Sequence, residues 1–316
     1  MKEITLLVGH GSRDADGNEE FLEFVQRMRH QLPDQHFEAC FLELATPTIP
    51  QGIDACVHQG AERIVVVPVI LLAASHVKLE IPEFLDAARK KYPHVDMVYG
   101  RNIGLHEQMV DLLCERFAEQ AASISEMNIS ETAIVLMGRG SSDPDANGDL
   151  YKIARLLWER TGVLSVEVCF TGITFPRLPD GVHRAVSLGA KRVVVVPYFL
   201  FTGVLIKRMK GVLQDLQTVY PDIPLSMAEY FGMHSRLFHI VIDRIEEAAA
   251  KQAFMNCDLC KYRKLAAHEH AHDHTHDHTH DHTHDHTHDH THAHDHNHSH
   301  EHAHPAAHNH SLVHSE

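Results

Sequence analysis

No apolar run in the chain approaches the ~18 residues that a membrane-spanning helix needs, so none is expected. Positive charge is scarce: 28 Lys and Arg stand against 43 Asp and Glu, a net charge of −15. That balance argues against a nucleic-acid partner, which calls for a basic face. Nucleotide-binding motifs are missing too. Neither G-x-G-x-x-G nor a P-loop with its Lys occurs, so no ATP site is expected. Cysteine is sparse, at six residues in 316. Cys40, Cys56, Cys114 and Cys169 are scattered in apolar contexts and read as buried small hydrophobes. The start, Met1-Lys2-Glu3-Ile4-Thr5, runs into a strand pattern without a signal-peptide layout. Together these features predict a protein of a reducing cytoplasm.

Histidine is in excess. Of 32 histidines, 22 fall between His268 and His314, and residues 268–316 hold nine acids and no Lys or Arg. The tail therefore carries −9 of the charge and residues 1–267 carry −6. Its Asp-His-Thr-His units cannot bury apolar surface, so disorder without metal is expected.

The body is written twice. Leu7-Val8-Gly9-His10-Gly11-Ser12 returns as Leu136-Met137-Gly138-Arg139-Gly140-Ser141, 129 residues later. Cys40-Phe41 and Pro47 return as Cys169-Phe170 and Pro176, and Gly60-Ala61 through Pro68 returns as Gly189-Ala190 through Pro197, at the same offset of 129. Gly104-Leu105-His106 returns as Gly232-Met233-His234 at offset 128. A period this long means duplicated domains. The chain divides into residues 1–122, 132–250, a Met-x-Cys-x-x-Cys segment at 251–266 and the tail at 267–316.

Each copy alternates short apolar runs with amphipathic stretches. In the first, Ile4–Val8, Phe37–Leu42, Arg63–Ile70 and Val95–Tyr99 have the near-continuous apolar character of parallel strands buried on both faces. Phe21, Phe24, Val25 and Met28 form one helical stripe, and Phe84, Leu85 and Ala88 a second. Asp16 and Asn18 offer N-cap chemistry to the first helix. The last helix is expected near Arg236–Ala253. The expected fold class is α/β: two doubly wound parallel-sheet domains facing a cleft.

The copies differ where chemistry is expected. His10, Glu43 and His76 map to Arg139, Gly172 and Leu205, so only the first copy holds metal-ligand side chains. The three follow the first three predicted strands, and open parallel sheets bind ligands at the carboxyl ends of their strands. Two imidazoles and a carboxylate suit a borderline divalent ion such as Co²⁺, Fe²⁺, Ni²⁺ or Zn²⁺. Two other readings stand beside this one: His10 as a loop residue bonding the backbone, and Gly9-His10-Gly11-Ser12 as a phosphate cradle. His106 and His234 recur in both copies, which suggests a shared structural role near a helix start.

The Gly-His-Gly-Ser-Arg loop, Glu43, His76 and the duplicated body resemble the class II tetrapyrrole chelatases, over residues 1–250. The Met-x-Cys-x-x-Cys motif and His-rich tail resemble the long-form sirohydrochlorin cobaltochelatases. The resemblance implies ATP-independent insertion of Co²⁺, as substrate metal, into sirohydrochlorin, with release of two protons, in anaerobic cobalamin biosynthesis. It implies His10 and His76 as metal ligands and Glu43 as ligand or base, all three catalytic. Arg139 and Leu205 depart from the pattern, so one site per chain is expected. The substrate's carboxylates call for cations, and Arg13, Lys78, Arg139, Lys207 and Arg208 stand beside the predicted strand ends.

Cys257 and Cys260 have metal-ligand spacing but supply two of the four thiolates a 4Fe–4S cluster takes. A cluster shared by a homodimer, zinc completed by tail histidines, and an inert pair are the alternatives. The resemblance favours the cluster. The tail's imidazoles and carboxylates are expected to bind additional divalent metals. Rival functions are siroheme ferrochelatase or nickel chelatase on the same tetrapyrrole and, in another class, a metal-storage protein or metallochaperone.

Overall fold

The structure, a computed structural model, describes residues 1–124 and 127–252. Cys257, Cys260 and the His-rich tail lie outside the described residues. The first repeat runs β1 (Glu3–Gly9), α1 (Ala15–Gln31), β2 (His36–Phe41), α2 (Ile49–His58) and β3 (Arg63–Pro68). A π-helical turn (His76–Glu80) then leads into α3 (Ile81–Lys91), β4 (Asp96–Tyr99) and α4 (Glu107–Ala122). The second repeat runs β5 (Thr132–Gly138), α5 (Pro144–Thr161), β6 (Ser165–Phe170), α6 (Leu178–Ser187), β7 (Arg192–Pro197), α7 (Val204–Val219), β8 (Leu225–Met227) and α8 (Ser235–Ala249). Two four-stranded sheets result, ordered β2-β1-β3-β4 and β6-β5-β7-β8, with every pairing parallel. Helices cover both faces, which is the doubly wound α/β class read from the sequence. Among the described residues, no helix is long and apolar enough to cross a membrane.

Strand alternation sorts side chains between cores. Ile4, Leu6 and Val8 of β1 pack with Ile53 and Cys56 of α2 and Ile81 and Leu85 of α3. Leu7 points the other way, into a core that holds Phe21, Phe24 and Met28 of α1 together with Ile134 and Leu136 of β5. One core therefore runs through both repeats, and the Phe24 ring stacks on Phe238 of α8 at 4.4 Å.

The repeats also exchange their last helices. α4 packs on α5 and β7 of the second sheet, and α8 on β3 and β4 of the first. Gly100 permits this, because a Cβ there would stand 2.9 Å from the Ala248 methyl group. Arg63 donates from Nη2 to the Ala249 carbonyl, and Arg244 donates to the Ile103 carbonyl. The two repeats accordingly belong to one compact unit, although the repeat boundary falls inside it.

Three local expectations need correction. The cap of α1 is Asp14, which accepts from the Asp16 amide at 3.3 Å; Asn18 instead accepts from the Ser12 amide and donates to its carbonyl, both at 2.8 Å. Phe84 is exposed, and the buried stripe of α3 is Ile81, Leu85 and Ala88, whose spacing of four and three follows the helical period. α8 ends at Ala249, four residues before the expected end.

Candidate metal centre

The residues missing from the second copy come together. One ligand atom each from His10, Glu43 and His76 lie within 4.8 Å of one another. His10 leaves the end of β1, Glu43 stands two residues past β2, and His76 opens the π-helical turn after β3. Backbone bonds from the Leu42 amide to the Gly9 carbonyl and from the Glu43 amide to the His10 carbonyl extend the β1–β2 pairing into the site. Gly11 makes that closeness possible. Its φ is +89°, and a Cβ there would stand 1.7 Å from the Glu43 carbonyl oxygen.

The two imidazoles meet edge to face, with centroids 5.0 Å apart. Glu43 Oε1 lies 3.6 Å from His10 Nδ1. Glu80, one helical turn after His76, puts Oε1 2.8 Å from His76 Nδ1, off the direction that a hydrogen bond needs. Sequence reasoning passed over Glu80; its i,i+4 spacing from a ligand-type histidine was the available signal.

The protonation of His10 is set by its partners. Nδ1 faces the Gly11 carbonyl at 3.0 Å, and an oxygen there can only accept. Nε2 faces the Arg139 guanidinium at 2.7 Å, and a guanidinium can only donate. His10 is therefore neutral, with its lone pair on Nε2. Burial, and then the Arg139 charge, pull its pKa below the usual 6.5.

Of the other cations singled out in the sequence, Lys78 and Lys207 are paired between the repeats. Lys78 bonds Asp143 and Asp145 of the second repeat at 2.7 and 2.9 Å. Lys207, its counterpart, bonds Asp14 and Asp16 of the first at 2.9 and 2.7 Å. Four ion pairs, two from each lysine, and the Arg139–His10 bond thus link the two sets of strand ends. Arg208 donates to the Thr171 carbonyl at 3.2 Å, and Arg13 is exposed. A separate cavity of about 540 Å³, lined by Tyr151, Phe175 and His183 among others, includes none of the three clustered ligand-type residues.

The CbiX family model matches this chain twice, at residues 4–120 and 133–248, once over each repeat. The chain belongs to the CbiX family. It is 48% identical over 271 residues to the sirohydrochlorin cobaltochelatase of Priestia megaterium, covering 85% of this chain and 87% of that protein. It is 39% identical to the sirohydrochlorin ferrochelatase of the same organism, over 77% of this chain and 90% of that protein. The crystal structure of the sirohydrochlorin chelatase SirB from Bacillus subtilis subspecies spizizenii in complex with cobalt superposes with a TM-score of 0.67 at 35% identity. That match covers 79% of this CbiX-family chain and 97% of the SirB chain.

Proposed function

We propose that this chain is a sirohydrochlorin cobaltochelatase, a lyase of cobalamin biosynthesis that inserts Co²⁺ into sirohydrochlorin without a nucleotide and releases two protons. The observation that carries the reading is the His10–Glu43–His76 cluster, assembled on the strand ends of one repeat only, in a chain 48% identical to a sirohydrochlorin cobaltochelatase. Two neutral imidazoles and a carboxylate hold a divalent ion loosely enough to pass it on, unlike a closed four-thiolate cage. His10 and His76 serve as ligands. Glu43 serves as ligand or as acceptor of the pyrrole protons. The 39% identical ferrochelatase supports Fe²⁺ as the alternative metal, and affinity order alone does not choose between the two.

Absorbance of sirohydrochlorin with Co²⁺ and enzyme tests the reading. His10→Ala and His76→Ala should each slow insertion by more than about 100-fold, a larger loss than removal of a group that merely orients a ligand would cause. Rates unchanged from wild type would overturn the assignment. A faster rate with Fe²⁺ at equal buffered concentration would make the chain a ferrochelatase.

The remaining assignments belong to the same reading. Lys78, Lys207 and Arg139 are engaged between the repeats, so the substrate carboxylates fall first to Arg13 and Arg208. Cys257 and Cys260 are assigned half the ligands of a 4Fe–4S cluster shared between two copies of the chain in the cytoplasm. The tail is assigned a store of divalent metal that raises the local supply. Deleting residues 268–316 should preserve the rate at saturating Co²⁺ and lower it at scarce Co²⁺; equal loss at both would refute a store.

A further inference from the structure

Arg139 stands at the position equivalent to His10, yet its guanidinium does not serve its own repeat. It reaches across the pseudo-twofold relation and bonds Nε2 of His10 at 2.7 Å. Because Nδ1 is committed to the Gly11 carbonyl, Nε2 carries the one lone pair that His10 can offer a cation. The guanidinium therefore occupies the coordination direction of a metal ligand with a fixed positive charge.

We propose that Arg139 is a placeholder for the metal, a positioning residue that competes with Co²⁺ for His10 Nε2. This rests on the reading of His10, Glu43 and His76 as the metal site. An arriving ion must displace the guanidinium to reach the lone pair. When the ion passes to the macrocycle, the guanidinium returns to Nε2. The exchange weakens resting affinity and favours release, which a transit site needs and a storage site does not. It also accounts for an arginine where the other repeat has a histidine. A second imidazole there would add a ligand and deepen the well, whereas a guanidinium has no lone pair to give. Arg139 is itself exposed, so it has room to swing aside and its replacement does not disturb a core.

The test uses the full-length chain with free Co²⁺ held by a chelator buffer, so that metal on the tail does not alter the free concentration. Arg139→Met keeps the length of the side chain and removes the donor and the charge. The half-saturating free Co²⁺ should fall by about tenfold or more, the range expected for a hydrogen bond from a charged donor. The half-saturating sirohydrochlorin concentration should not change. Arg139→Lys, which restores a cationic donor, should recover part of the wild-type value. An unchanged or raised half-saturating Co²⁺ in Arg139→Met overturns the proposal. A rise in half-saturating sirohydrochlorin alone also overturns it, and assigns Arg139 to the substrate carboxylates. His10→Ala in the same assay separates the two levels. If His10→Ala retains full activity, the metal-site reading fails along with the placeholder. If His10→Ala is inactive while Arg139→Met keeps wild-type cobalt dependence, the placeholder alone fails.

Discussion

At the scale of the residue, the site depends on a glycine as much as on its ligands. Gly11 and Gly60 both hold left-handed backbone, with φ of +89° and +82°, but a Cβ at Gly60 would meet nothing within 4 Å. Gly60→Ala should therefore cost about 1–2 kcal/mol of backbone strain alone. Gly11→Ala adds a clash with the Glu43 carbonyl and should cost about 3 kcal/mol or more. It should also slow insertion by displacing Glu43, while Gly60→Ala leaves the rate unchanged. Urea unfolding and the absorbance assay check both; equal costs at the two positions would show that the loop yields. The ligands themselves were legible in the sequence because the repeat provides its own control: His10, Glu43 and His76 stand out only against Arg139, Gly172 and Leu205. What the sequence does not carry is that His10 and Arg139 touch. Equivalence under a repeat gives correspondence, whereas contact requires both residues to lie near the axis that relates the copies.

At the scale of the element, the histidines shared by both repeats turn out to be helix caps. His106 Nδ1 accepts from the Gln108 amide at the start of α4, and His234 Nδ1 accepts from the Arg236 amide at the start of α8, each at 3.2 Å. Their Nε2 atoms cross to the other helix, His106 to Asp243 at 3.2 Å and His234 to Glu115 at 3.1 Å. An accepting Nδ1 must be unprotonated. Burial, followed by the charge of Arg244 for His106 and of Arg116 for His234, lowers both pKa values from 6.5. The folded chain thus binds fewer protons than the unfolded chain around that pH. Stability is complete above 6.5 and is lost as pH falls through the lowered folded values. His106→Asn with His234→Asn keeps a capping acceptor that does not titrate. The melting temperature of this variant should fall less than that of wild type between about pH 7.5 and pH 5.5. Parallel curves would mean that the caps do not titrate in this range. The motif spacing located these histidines near helix starts, but their crossing to the partner helix depends on the helix exchange, which leaves no mark on either repeat.

At the scale of the whole molecule, that exchange makes the sequence repeat a poor guide to the unit that folds. Strand boundaries were readable within a residue or two, because a strand buried on both faces is apolar throughout. The destination of α4 and α8 was not readable, because an amphipathic helix covers either sheet equally well. The consequence is thermodynamic. Ile53 belongs to the outer core of the first repeat, which contains no residue of the second. Trp158, the single tryptophan of the chain, lies on α5 in the second and bonds the Val163 carbonyl through Nε1 at 2.9 Å. Two independent domains would let Ile53→Ala weaken the first while Trp158 fluorescence kept its wild-type midpoint. The continuous core and the exchanged helices require that neither repeat unfold alone. Ile53→Ala should therefore cost about 2–5 kcal/mol, and the midpoint reported by Trp158 should move as far as the midpoint reported by far-ultraviolet circular dichroism. A Trp158 midpoint that stays in place would return the chain to two separately folding halves.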